Sequence, residues 1–141
     1  MIIGKTIDEM ELGDFATMSK TVSETDVYMY AGITGDFNPA HIDAEYAKQT
    51  FFKARIAHGM LTAGFISALL GTKLPGPGTI YVGQELKFLA PVMIGDTITA
   101  KVEVVELNKE KNRVTFRTTC ENQEQKIVLD GKAFMMPPKK K

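Results

Sequence analysis

A chain of 141 residues has the length of one domain, and at that size about two thirds of the unfolded chain's surface can be buried. With 17 Lys and Arg against 17 Asp and Glu the formal net charge is zero, so no overall field draws the protein to nucleic acid or to an anionic membrane. A single cysteine excludes an internal disulfide, and two histidines are too few for a Cys/His cluster at zinc-ligand spacing, so no structural metal is expected.

The chain opens on MIIGKTIDEMELGD, which carries acids where a secretion signal needs a long apolar run. No apolar stretch reaches the roughly 20 residues of a spanning helix, which predicts a cytoplasmic protein with no membrane partner. Phe15 to Val22 has strand character and leads to Ser23, an N-cap for a helix with Asp26 at the capping-box position. Val27, Tyr30, Ala31 and Thr34 then follow three- and four-residue spacing, and Gly35 suits a left-handed C-terminal cap. The stretch GDFNPAHID, Gly35 to Asp43, follows at once, and Ala44 to Gln49 fits a further short turn of helix.

HGMLTAGFISALLG reads differently, because Met60, Leu61, Ala63, Phe65, Ile66, Ala68, Leu69 and Leu70 leave hardly any polar face. Such a helix must be surrounded by protein, and the natural wrapping is a sheet. The loop GTKLPGPGT, Gly71 to Thr79, carries the chain away from it. Period-two patterns follow: Ile80, Val82, Leu86 and Phe88, then Ile98, Ala100, Val102 and Val104. Val114, Phe116, Thr118 and Cys120 repeat the alternation, as do Ile127, Leu129, Ala133 and Met135, each after a polar turn. These are antiparallel strands.

No repeat, linker or low-complexity segment divides residues 1–136, which are expected to form one domain, with 137–141, PPKKK, a short basic solvated tail. A long apolar helix followed by a curved antiparallel sheet that closes around it is an α+β arrangement and resembles the hot dog fold. The edges of such a sheet favour pairing of two copies, so a homodimer is expected.

Asp36 and His41 are five residues apart, about 140° around a regular helix, and Pro39 between them interrupts one, so the two side chains must meet on a loop if they meet at all. Asp36 and Asn38 can bond nearby backbone groups and Pro39 fixes one backbone angle, which favours a rigid connection. Two readings of the residue types stay open. Asp36 and Asn38 are turn formers and His41 caps the next helix, or Asp36 and His41 hold one water and move its protons.

A resemblance bears on that choice. YAGITGDFNPAHIDAEYA, Tyr30 to Ala47, is similar to the signature of the MaoC-like (R)-specific enoyl-CoA hydratases, in which an aromatic residue leads through a Gly-Asp-x-Asn-Pro-x-His core to a small residue. ARIAHGML, Ala54 to Leu61, and LKFLAPVMIGDTI resemble the family's helix entry and its following strand and turn. Ala40 departs from the pattern, standing where a larger aliphatic residue is usual, but it removes no chemical group.

The resemblance implies a hydro-lyase of fatty acid metabolism that adds water reversibly to a trans-2-enoyl-CoA thioester and uses no cofactor. Its (R)-3-hydroxyacyl-CoA product is of the kind that supplies polyhydroxyalkanoate synthesis. Asp36 and His41 would share the catalytic water, and Gly59, at the start of the apolar helix, would offer its N–H to the thioester oxygen. Asn38 and Ser67 would support the catalytic side chains, although a serine bonding its own helix backbone fits Ser67 as well. His58 reads as a histidine bonded to a backbone group near the helix start. Phe65, Leu69 and Leu70 would line an acyl pocket or form plain core. Lys53, Arg55, Lys73 and Lys87 would meet the CoA phosphates or form a solvated face. A hot dog thioesterase and a non-catalytic acyl-CoA binding module are the alternatives.

Overall fold

Ser23 and Asp26 close the expected capping box at the start of α1 (Glu24–Thr34). The N–H of Asp26 donates to Ser23 Oγ at 3.0 Å, and the N–H of Ser23 donates to Asp26 Oδ2 at 2.9 Å. The structure is a computed structural model describing residues 1–140. Before α1 runs β1 (Phe15–Thr21). α1 ends at Gly35, whose φ of 82° is the left-handed conformation that glycine adopts without strain. Two short helices follow, α2 (Pro39–Ile42) and α3 (Ala44–Lys48), capped by the side chains of Asn38 and Asp43. The apolar helix is α4 (Gly59–Thr72).

β2 (Ile80–Phe88), β3 (Thr97–Asn108), β4 (Arg113–Glu121) and β5 (Ile127–Met136) join β1 in one antiparallel sheet of order β1-β3-β4-β5-β2. The period-two pattern works as expected in the middle of that sheet. Ile98, Ala100, Val102 and Val104 of β3 and Val114, Phe116, Thr118 and Cys120 of β4 all point into the interior and are buried. α4 lies across β3, β4 and β1, and its Ile66, Leu69 and Leu70 close the core against Phe116 and Leu129. Each such fully buried side chain contributes about 1.5–3 kcal/mol.

Two elements depart from expectation, for one reason. The apolar pattern of α4 predicts enclosure on all sides, yet Met60, Gly64, Ser67, Ala68 and Gly71 form an exposed face, because the sheet of one chain covers only the opposite side. The alternation of β2 predicts buried even positions, yet Ile80, Val82 and Phe88 are 56%, 52% and 52% exposed. β2 is one edge of the sheet, β1 being the other, and no further strand among the described residues lies beyond it. It is nevertheless pressed tightly onto β5: a Cβ added at Gly131 would stand 1.9 Å from the carbonyl oxygen of Glu85.

The tail also departs in part. Pro137 is buried, and its carbonyl accepts the Asn112 side-chain amide at 2.9 Å. Only Lys139 and Lys140 match the solvated reading, and Lys141 lies outside the described residues.

Candidate active site

The loop after α1 is built by its own polar groups. The N–H of Asp36 donates to Thr34 Oγ1 at 3.2 Å, the N–H of Asn38 donates to Asp36 Oδ1 at 3.2 Å, and the N–H of Ala40 donates to Asn38 Oδ1 at 3.1 Å. Asp36 and Asn38 are thus turn formers. Pro39 opens α2 where its missing N–H costs nothing, and one turn of helix then carries His41 inward, to 8% exposure.

His41 Nδ1 lies 2.7 Å from the carbonyl oxygen of Ile56. A carbonyl only accepts, so Nδ1 carries the proton and Nε2 holds the free lone pair. The second histidine, His58, is 2% exposed and places Nε2 3.0 Å from the backbone carbonyl of Asp36. By the same rule this ring is protonated at Nε2, and its Nδ1 is buried without a hydrogen-bond partner among the described residues. The two imidazoles are stacked with centroids 3.8 Å apart and planes 29° apart, and Tyr30 packs at 4.6 Å on His58.

One ligand-type atom from each of Asp36, His41 and His58 falls within 4.8 Å of the others. A ring nitrogen's lone pair lies in its ring plane. Stacked planes 29° apart do not converge on one ion about 2.0–2.1 Å from each nitrogen. The separation does suit a single water hydrogen-bonded between a carboxylate and an imidazole.

A cavity of about 510 Å³ opens on these groups; Asp36 and His41 line it with Gly59, Met60, Phe88 and Val92 among its walls. Gly59 begins α4, so its N–H has no acceptor within the helix and lies at the positive end of the helix dipole. A Cβ there would stand 2.7 Å from the Phe88 ring, which gives the glycine a steric reason as well.

Ser67 is not brought to this site. It stands two turns further along α4 on the exposed face and lines no part of the cavity of the single chain. Phe65, Leu69 and Leu70 are core and not cavity wall. Arg55 is held by Glu24 at 2.5 Å and by the Tyr28 hydroxyl at 2.9 Å. Hydrogen bonds from Arg55 first, then from Tyr28, hold the Glu24 carboxyl below its usual range, so the Arg55 charge is already matched. Lys73 donates to the carbonyl of Thr17 at 3.0 Å, and Lys87 borders a separate groove on the sheet. Sequence reasoning misses the Ile56 carbonyl that orients His41, and it misses the packing of Phe88 on Gly59.

A family model described as MaoC like domain matches residues 13–126. An (R)-specific enoyl-CoA hydratase of Rhodospirillum rubrum is 57% identical over 131 residues, 93% of this chain and 90% of that protein. The unliganded R-hydratase PhaJ1 of Pseudomonas aeruginosa superposes with a TM-score of 0.92 at 45% identity, covering 99% of this chain and 89% of that one. The (R)-hydratase of A. caviae involved in PHA biosynthesis gives 0.89 at 41% identity, covering 92% and 98%.

Proposed function

Because the chain belongs to the MaoC-like domain family, we propose that it is an (R)-specific enoyl-CoA hydratase working through Asp36 and His41. The observation that carries this reading is the tautomer of His41. With Nδ1–H committed to Ile56, Nε2 is left as the base, and a ring nitrogen of His41 lies within 4.8 Å of an Asp36 carboxylate oxygen at the wall of one cavity.

Water held between the two groups adds its oxygen to C3 of a trans-2-enoyl thioester. One water proton stays on that oxygen as the new hydroxyl, and the other passes through the pair to C2 on the same face, so one water is added in all. As C3 is attacked, charge gathers on the thioester oxygen, and the N–H of Gly59 is the donor suited to receive it. Asn38 supports the pair by fixing the loop: its N–H holds Asp36 Oδ1 and its side chain starts α2 beneath His41.

The enzyme is a homodimer in this reading. Support comes from the exposed edge of β2 and the exposed small-residue face of α4, two apolar surfaces that one chain leaves uncovered. Among the described residues no helix is long and apolar enough to cross a membrane, and an unpaired Cys120 fits a reducing, cytoplasmic setting. A product of (R) configuration suits supply of 3-hydroxyacyl units to polyhydroxyalkanoate synthesis, in keeping with the involvement of the similar A. caviae (R)-hydratase in PHA biosynthesis.

Mixing the protein with crotonyl-CoA tests the reading. Loss of enoyl absorbance with formation of the (R)-3-hydroxy product is expected. Release of free thiol would make it a thioesterase instead, and binding without turnover would make it a carrier. Burial pushes the Cys120 thiol up to about 12, so the protein's own sulfur stays silent in the thiol assay.

A further inference from the structure

His58 carries more structure than a capping histidine needs. It is the N-cap of α4 yet makes no side-chain cap bond. Its ring instead reaches back to the other half of the site: Nε2–H donates to the Asp36 carbonyl, and one face lies flat on His41. Its other nitrogen is buried with no partner, an arrangement that natural structures rarely tolerate without purpose.

We propose that His58 is the positioning residue that locks the Asp36/His41 pair to the N-terminus of α4, setting the acid/base groups in register with the Gly59 N–H. The proposal rests on the hydratase reading for its kinetic consequences only. Asp36 and His41 belong to the loop and α2, while Gly59 belongs to α4, and 17 positions separate His41 from His58 in the sequence. Three kinds of tie cross that gap: the Nδ1–H bond of His41 to Ile56, the Ile56 N–H bond to the Ala40 carbonyl at 3.2 Å, and the contacts of His58 with both Asp36 and His41; of these only the His58 contacts start from the residue next to Gly59. Hydration needs the water, C3 and the thioester oxygen aligned together, and a displacement of about 1 Å costs on the order of 10²-fold in rate.

The ring chemistry explains why a histidine stands here. The bond to Asp36 needs a donor at the tip of a flat side chain, and His41 needs a flat surface against which to hold its own ring. Imidazole protonated at Nε2 supplies both. A proton on Nδ1 would be buried with no acceptor among the described residues, so the donor belongs at Nε2. When His41 takes the water proton, the face of a neutral π system lies over the new cation, where it is stabilising.

The chain holds only two histidines, so both can be read directly in ¹⁵N-histidine-labelled protein. The expected spectrum has opposite neutral tautomers, His41 protonated at Nδ1 and His58 at Nε2; a proton on His58 Nδ1 overturns the proposal whatever the protein catalyses. In kinetics with crotonyl-CoA, His58→Phe keeps a ring over His41 and loses the donor, whereas His58→Gln keeps a donor and loses the ring. Each folded variant is expected to lose about 10- to 100-fold in kcat, with KM held within about threefold. Wild-type kcat in either, or a loss expressed only in KM, overturns it. A wild-type protein without hydratase activity removes the functional reading, and the tautomers still decide whether His58 bonds Asp36.

Discussion

In the hydration proposed above, Asp36 and His41 do different work in the same proton transfer, and each should be indispensable on its own. Asp36→Asn keeps the loop bond to Asn38 but removes the charge, and His41→Ala removes the base while leaving a small side chain in a buried turn. Each is expected to cut turnover by at least about 10² while circular dichroism reports an unchanged fold; full turnover in either would remove that residue from the mechanism. These two residues are legible through the resemblance of YAGITGDFNPAHIDAEYA to the family signature, since the turn formers and proline of GDFNPAHID alone leave two readings open. What orients them is not. His41 is held by a backbone carbonyl, and a carbonyl has no sequence signature, so nothing marks Ile56. Ser67 rests on the resemblance alone, and in the single chain it stands on the exposed face of α4.

Among the elements, α1 determines where the catalytic loop begins, and its first turn carries a measurable pH dependence. A hydrogen bond from Lys20 first, then one from the Ser23 N–H, holds the Asp26 carboxyl below its usual range. Its folded-state value is thus lower than its unfolded one. The stabilisation is complete above the ordinary carboxylate range, near 4, and fades as pH falls through the lowered value. Asp26→Asn should therefore be less stable than wild type at neutral pH, with the gap closing in acid. Denaturant melts at two pH values check it, and a gap that widens on acidification would contradict the assignment. Ser23→Ala should cost about 1 kcal/mol by losing the reciprocal cap. The caps, α4 and the alternation of β3 and β4 are all readable, since each depends on neighbours a few residues away. β2 defeats the same reading because alternation predicts which way a side chain points, not whether anything lies there to cover it.

At the scale of the molecule, the uncovered edge predicts association. Val82→Lys places a charge on this edge strand, at a position 52% exposed in the single chain; in sedimentation the wild type is expected to give dimers and the variant monomers. An unchanged dimer would put the interface elsewhere. The crowding of Gly131 against Glu85 has a quieter effect. The outermost strand can lie so near its neighbour only because residue 131 is bare, and the same strand brings Phe88 to the wall beside Gly59. A methyl group at 131 would act as a wedge driven in at a distance. The ribbon would lift, the aromatic wall would swing with it, and the damage would surface in the cavity beside Gly59, which residue 131 itself does not line.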